Sequence, residues 1–305
     1  MRALFELGIS QWMCLTTFLR SAWIRRGRGV IGLIIFPIRT LVYLFFLLLI
    51  QILFLRRGRM LFCLYAWLRK TDDVMDGDDK PPGRKSLEIY LDEKDRVIAN
   101  FSDGEFKVYD IEDYMLLQFQ RDMQRVGVNV TEDLRKIWYY LRCDFFRREN
   151  NTLAQRDWLN RQAIAFDGLI VGGCISLIGG DPTNFRKIVT EYDGLFTRTD
   201  WLHDLPEDLR KGICNIPKEA IEIHEINIDE LKKCKSIDEL LQNDLFRIWY
   251  EDEVQIAREQ WKYLRISLGN DFGGSLKGKP IFAFLVTKLM RLWFNQSAIT
   301  QTKTP

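Results

Sequence analysis

From residue 56 to residue 295 one helical period follows another, and β-hairpin signals are few. Segments 56–76, 85–100, 110–126, 131–149, 155–178, 183–205, 238–267 and 279–295 each carry apolar residues at helical spacing. Gly77 with Pro81-Pro82-Gly83 ends the first of them. Gly179-Gly180-Asp181-Pro182 ends the fifth, and Pro206 is expected to break the sixth. No internal repeat or low-complexity tract interrupts the series. The expected fold class is all-α. With 305 residues, 47% of them hydrophobic, the chain can bury the core of one large domain or two small ones.

Charge and residue usage remove several function classes. A formal net charge of +2 offers no general attraction to nucleic acid. The six cysteines are scattered without a Cys-x-x-Cys pair, which reads as reduced thiols in a core. Two histidines, His203 and His224, are too few for a His-rich metal centre. Three glycosylation-type sequons start at Asn129, Asn150 and Asn295, and patterns this short arise by chance.

The N-terminal part has a different character. Val30 to Leu55 is the most apolar stretch, interrupted by Pro37, Arg39, Thr40 and Gln51. Arg25, Arg26 and Arg28 precede it, and Arg56, Arg57 and Arg59 follow it. Leu41–Leu55 is the length of a buried helix and falls short of the roughly 20 residues that span a bilayer. With Val30–Ile38 added the stretch is long enough, but it then has a proline and an arginine in its middle. Both flanks are basic, so charge bias assigns no orientation. The expectation is a membrane-associated, intracellular protein in which residues 1–55 form a hydrophobic, basic-flanked segment. Residues 56–297 then form the catalytic domain and 298–305 a flexible tail. The stretch lacks the small-residue cleavage site of a signal peptide. The alternative is an unusually greasy core helix.

Two acidic clusters carry the chemistry. The first is Asp72-Asp73-Val74-Met75-Asp76, followed by Asp78 and Asp79. The second is Asp200-Trp201-Leu202-His203-Asp204, with Asp208 four residues on. Carboxylates at i and i+4 share one helix face and repel each other. In the first cluster they also stand at a helix C-terminus, where the helix dipole disfavours them. A hard, oxygen-seeking cation such as Mg2+, shared with substrate phosphates, offsets both costs. The bland alternative is a solvated helix end. It is weaker for Asp200/Asp204, which share their helix with Trp201 and Leu202.

Arg56-Arg57-Gly58-Arg59 … Leu64-Tyr65-Ala66-Trp67-Leu68-Arg69-Lys70-Thr71-Asp72-Asp73-Val74-Met75-Asp76-Gly77 closely resembles the first aspartate-rich region of squalene and phytoene synthases. The run from Phe196 through Thr199-Asp200, Asp204, Asp208 and Gly212 to Ile216-Pro217 is similar to the second. The resemblance covers about residues 46–295. It is specific at the two motifs and weak elsewhere. It implies a class I isoprenoid-synthase helical bundle with a central apolar cavity. It implies two or three Mg2+ ions, held by Asp72 and Asp76 from one side and by Asp200, Asp204 and Asp208 from the other. Arg57, Arg69 and Lys70 would neutralise the diphosphate of a farnesyl or geranylgeranyl substrate. Phe62, Tyr65, Phe166, Phe196 and Trp201 are candidate pocket-lining residues, though aromatics at helical spacing are more often plain core.

The implied reaction is head-to-head coupling of two trans-prenyl diphosphates. Departures from the family pattern favour an alternative, a terpene cyclase that ionises one substrate. Ala165 stands where the family has a tyrosine. Asp167 replaces a small residue beside Gly168 and adds an acid to an apolar helix. The family's Ser-Phe element falls near Phe46-Leu47, and its C-terminal Tyr-Arg pair has only Lys288 or Arg291 nearby. An alternative of another class is a catalytically silent membrane assembly factor.

Overall fold

The computed structural model describes residues 56–103, 106–177, 179–194 and 196–267. The hydrophobic segment, the 279–295 helix, the tail, Phe46-Leu47, Lys288 and Arg291 lie outside the described residues. All regular structure among the described residues is helical, as the periodicity predicts. No helix among them is long and apolar enough to cross a membrane. The chain divides into two compact units, one ending at Arg135 and one beginning at Lys136.

The N-terminal unit contains α1 (Arg56–Met75), α2 (Leu87–Ala99) and α3 (Ile111–Val126), and α4 (Thr131–Glu149) begins in it. Short 3-10 turns, Pro82–Arg84 and Phe101–Asp103, link the first three. Ser86 caps α2 through its side chain at Ile89 N–H, and Asp110 caps α3 at Asp113 N–H. Gly127 ends α3 in the left-handed conformation, φ 69°. α1 and α3 pack side by side. Met60, Cys63, Ala66 and Trp67 of α1 and Met115, Leu116, Phe119 and Met123 of α3 are all buried.

Charged groups clamp this apolar seam. Arg59 grips Asp122 with two bonds of 2.6 and 2.5 Å. Lys94 of α2 is fully buried and reaches Asp110 at 2.6 Å and Asp113 at 2.5 Å. The Trp67 indole N–H donates to the same Asp113, at 3.3 Å. A buried lysine with two carboxylates is tolerated because each charge has a partner and hydrogen bonds fill the remaining lone pairs.

Glu112, buried beside this cluster, makes the unit pH-sensitive. Burial and then the Asp110 carboxylate push its carboxyl from the ordinary 4.5 up to about 7, and Lys70 and Lys94 only partly oppose them. Folded Glu112 therefore keeps its proton to about pH 7, whereas the unfolded chain releases it near 4.5. Between those values the folded state binds more protons, so this group's contribution to stability falls as pH rises. The full loss is about 3 kcal/mol. Glu112→Gln is expected to remove it, so that variant and wild type differ more at pH 8 than at pH 5 in urea unfolding. A difference independent of pH would refute the assignment.

The C-terminal unit holds the rest of α4, then α5 (Arg156–Phe166), a π-helical segment Asp167–Val171, α6 (Gly172–Leu177), α7 (Thr183–Glu191) and α8 (Phe196–Arg210). α9 (Lys218–Ile223), α10 (Ile228–Leu231), α11 (Ile237–Leu240) and α12 (Asp244–Ser267) follow. Leu202, Leu205 and Leu209 of α8 meet Phe246, Trp249, Tyr250 and Val254 of α12 in one buried core.

Four boundaries differ from the sequence expectation, each for a local reason. The 155–178 helix is interrupted by the π-helical turn, a feature that often marks functional segments. The 183–205 helix is divided at Gly194, whose φ is 84°. A Cβ there would lie 2.5 Å from the Ala163 Cβ, so only glycine fits. Pro206 does not end α8, which runs on to Arg210. The proline forfeits only the bond to the Leu202 carbonyl, and burial of Leu205, Pro206 and Leu209 offsets that loss. The 238–267 helix is split because Asn243 caps α12, accepting from Phe246 N–H at 3.0 Å.

Candidate functional site

The first acidic cluster sits on the last turn of α1 and in the turn after it. The Asp76 N–H closes the final helical bond, to Asp72 O at 2.9 Å. Gly77, at φ 77°, reverses the chain, and Asp79 N–H returns to Asp73 O at 2.9 Å. The turn thus gathers Asp72, Asp73, Asp76 and Asp79 around one helix end. Asp72 and Asp76 are half-buried, and Asp73 is buried.

Two cations of the same helix answer these carboxylates. Arg69 forks across Asp72 at 2.9 Å and Asp73 at 2.5 Å. Lys70, itself buried, pairs with Asp79. The cost of carboxylates at a helix C-terminus is therefore met in part by Arg69 and Lys70. Both are residues the sequence nominated for diphosphate. Arg57, the third nominee, is half-buried in the first turn of the helix.

The second cluster has the opposite setting. α8 buries Arg198, Thr199, Leu202, Leu205, Pro206 and Leu209 along one side. Asp200 and Asp204 fall on the other side and are exposed. They stand one helical turn apart, as the spacing requires. Asp204 also meets the His203 ring at Nδ1, 2.7 Å away. Asp208 is half-buried, and its carboxylate accepts from the Asn215 side-chain amide at 3.4 Å.

α8 is anchored through its first turn. The Asp167 carboxylate accepts from Phe196 N–H at 2.7 Å, Thr197 N–H at 3.0 Å and the Thr197 hydroxyl at 2.6 Å. It satisfies two of the helix's unpaired N-terminal donors and places negative charge at the positive end of the dipole. The acid that looked anomalous beside Gly168 is a cap supplied from 29 residues away. Arg198 is tied to Glu253 of α12 at 2.6 Å and to the Asn160 side-chain carbonyl of α5 at 3.0 Å. None of these partners is at helical spacing from α8, so periodicity alone could not reveal them.

The aromatic candidates separate by unit. In the N-terminal unit Phe62 is buried and Tyr65 is exposed. In the C-terminal unit Phe166 joins a half-buried group with Tyr140 at 6.3 Å, and Tyr140 in turn meets Trp158 at 6.0 Å. The Arg147 guanidinium lies 4.7 Å from the Trp158 ring centre, in cation–π range. Phe196 stands edge-on to Trp261 at 6.4 Å. Trp201 lines a cleft on the buried side of α8.

Oxygen-only carboxylate sets of this kind suit Mg2+, and Asp200 with Asp204 presents two of them on one open face. Among the described residues of the structure, no three His, Cys, Asp or Glu side chains are already gathered around a common point. Compared with known families and curated proteins, the chain matches no family model and no curated sequence.

Proposed function

We propose that the chain is a Mg2+-dependent isoprenoid synthase. It would ionise a trans-prenyl diphosphate of the farnesyl or geranylgeranyl type and join it head-to-head with a second one. One observation carries this reading. Asp200 and Asp204 project from the exposed side of a helix whose other side is capped, salt-bridged and buried, so two repelling carboxylates are held rigidly in an accessible position. The first cluster, at the end of α1, supplies a second carboxylate set with two cations beside it.

The roles follow from charge. Asp72, Asp76, Asp200, Asp204 and Asp208 are the residues that would hold Mg2+. When bound, the metal supplies positive charge to the diphosphate oxygens. Arg57, Arg69 and Lys70 would meet the charge that develops on the leaving diphosphate. Arg69 and Lys70 already satisfy Asp72, Asp73 and Asp79, so each reaches phosphate only by giving up a present pair. Half-buried rings such as Phe166 and Tyr140 offer π faces to an allylic carbocation. The apolar, arginine-flanked segment 30–55 supports membrane association within the cell, fitting lipophilic substrates and products.

A second reading, the single-substrate cyclase, draws on a specific feature. Where the resemblance calls for a tyrosine, half-buried Ala165 has only a methyl group, beside Phe166 of the aromatic group. The test is incubation of the full chain with Mg2+ and labelled farnesyl or geranylgeranyl diphosphate, followed by product analysis. Hydrocarbon with the carbon count of two substrates is the expected result. An equal count would establish the cyclase. No diphosphate release at any chain length would overturn both and return the silent assembly factor.

A further inference from the structure

The two cations at the end of α1 are held in different ways. Lys70 is buried, pairs with Asp79 and also donates to the Lys80 carbonyl at 3.4 Å, so it belongs to the turn. Arg69 bridges two carboxylates of unlike burial. Its Nη2 meets Asp73, whose side chain is 3% exposed, and its Nη1 meets Asp72, whose side chain is 31% exposed. We infer that Arg69 is a counter-ion with two positions: it closes Asp72 while no metal is bound there, and it turns about Asp73 toward the diphosphate once Asp72 is taken by Mg2+. The inference rests on the metal-holding role proposed for Asp72, and it adds a competition between that metal and a side chain of the protein itself.

Burial decides which end of the bridge gives way. Parting Arg69 from Asp73 would leave a carboxylate inside the protein without this cation, which is strongly destabilising. A pair as open as Arg69–Asp72 contributes far less. Asp73 is also fixed through its main chain, because its carbonyl accepts from Asp79 N–H at 2.9 Å across the turn. The Asp73 end is therefore the pivot, and the Nη1 arm on Asp72 is the part that moves.

Charge decides that it must move. A guanidinium keeps its proton in proteins, so Arg69 cannot neutralise itself when a divalent cation reaches the same carboxylate. Arg69 and the metal compete for Asp72. An Nη1 arm released from Asp72 has lost its anion, and a diphosphate oxygen supplies another. Through Arg69, metal and diphosphate thus favour each other's binding.

The experiment measures Mn2+, a spectroscopic stand-in for Mg2+, by the electron paramagnetic resonance of the free ion in solutions of the full-length chain. Calorimetry follows inorganic diphosphate binding to the Mn2+-loaded protein. Asp200→Asn with Asp204→Asn silences the second cluster, so that the first one reports. In that double variant Arg69→Gln is expected to bind Mn2+ about fivefold more tightly and diphosphate about tenfold more weakly. The opposite signs are the signature, because a side chain that only braced the helix end would weaken both. Thermal melts show whether Arg69→Gln folds. If it does not, Arg69→Lys decides, since a single ammonium can stay on Asp73 and release Asp72, so Mn2+ should again bind more tightly. Unchanged or weaker Mn2+ binding in the folded Arg69 variant would overturn the inference and leave the metal-holding reading standing. Tighter Mn2+ with unchanged diphosphate binding would overturn the turn toward diphosphate. No Mn2+ binding in the double variant would overturn the inference together with the role of Asp72, and none in the wild-type chain would overturn the functional reading as a whole.

Discussion

Asp204→Asn is expected to lower turnover of a prenyl diphosphate about a hundredfold or more, with the fold intact. The side chain is 49% exposed and meets the similarly exposed His203 ring at 2.7 Å. Removing its charge should therefore move stability by no more than about 0.5 kcal/mol. Asparagine keeps the shape and one carbonyl oxygen but loses the anion that Mg2+ requires. The loss should appear in the rate and in a higher Mg2+ requirement, while the melting temperature stays unchanged. Asp76→Asn should behave similarly, since Asp76 ends α1 through its backbone N–H. Full activity in both variants would rule out the metal-holding role. A drop in activity accompanied by unfolding would show instead that the acidic face is structural.

Lys94→Met should be the most destabilising single change in the N-terminal unit, costing about 3–5 kcal/mol. Lys94 and Asp113 are each fully buried, and Asp110 is nearly so. Removing the ammonium leaves two carboxylates facing each other without a counter-charge. One can take up a proton, and the Asp113 carboxyl is already raised above its ordinary range, by burial first. That protonation would make the variant recover stability at acidic pH, a signature that a simple packing defect lacks. Urea midpoints at pH 4.5 and 8 would measure it. Replacing Lys94, Asp110 and Asp113 together with apolar residues should recover most of the loss. A Lys94→Met cost below about 1 kcal/mol would mean that this cluster does not hold α2 against α3.

Most of the helices were legible because their evidence is local. Apolar residues at helical spacing, Gly77 with Pro81-Pro82-Gly83 after α1 and Gly179-Gly180-Asp181-Pro182 after α6 are all features of neighbouring residues. The misreadings came where a distant contact overrode a local signal. Pro206 ordinarily signals a helix end, yet α8 continues because the core covers its far side. Gly194 looked like one residue within a long helix, yet it makes the turn that lets Ala163 approach. Asp167 looked like an erosion of a motif and is the cap of α8. The carboxylate pairs were legible as pairs. That Arg69 and Lys70 are already engaged with the first cluster was not.

By sequence alone, the chain was determined to be helical and to present Asp200 and Asp204 one turn apart, because backbone period and i, i+4 geometry depend only on residues close in the chain. Tertiary structure decided which side of α8 is buried, which acid caps it and which arginine anchors it. Those outcomes depend on Glu253, Asn160 and Asp167 arriving from other helices. No periodicity encodes such meetings. They arise when burial makes an unpaired charge too costly to leave alone.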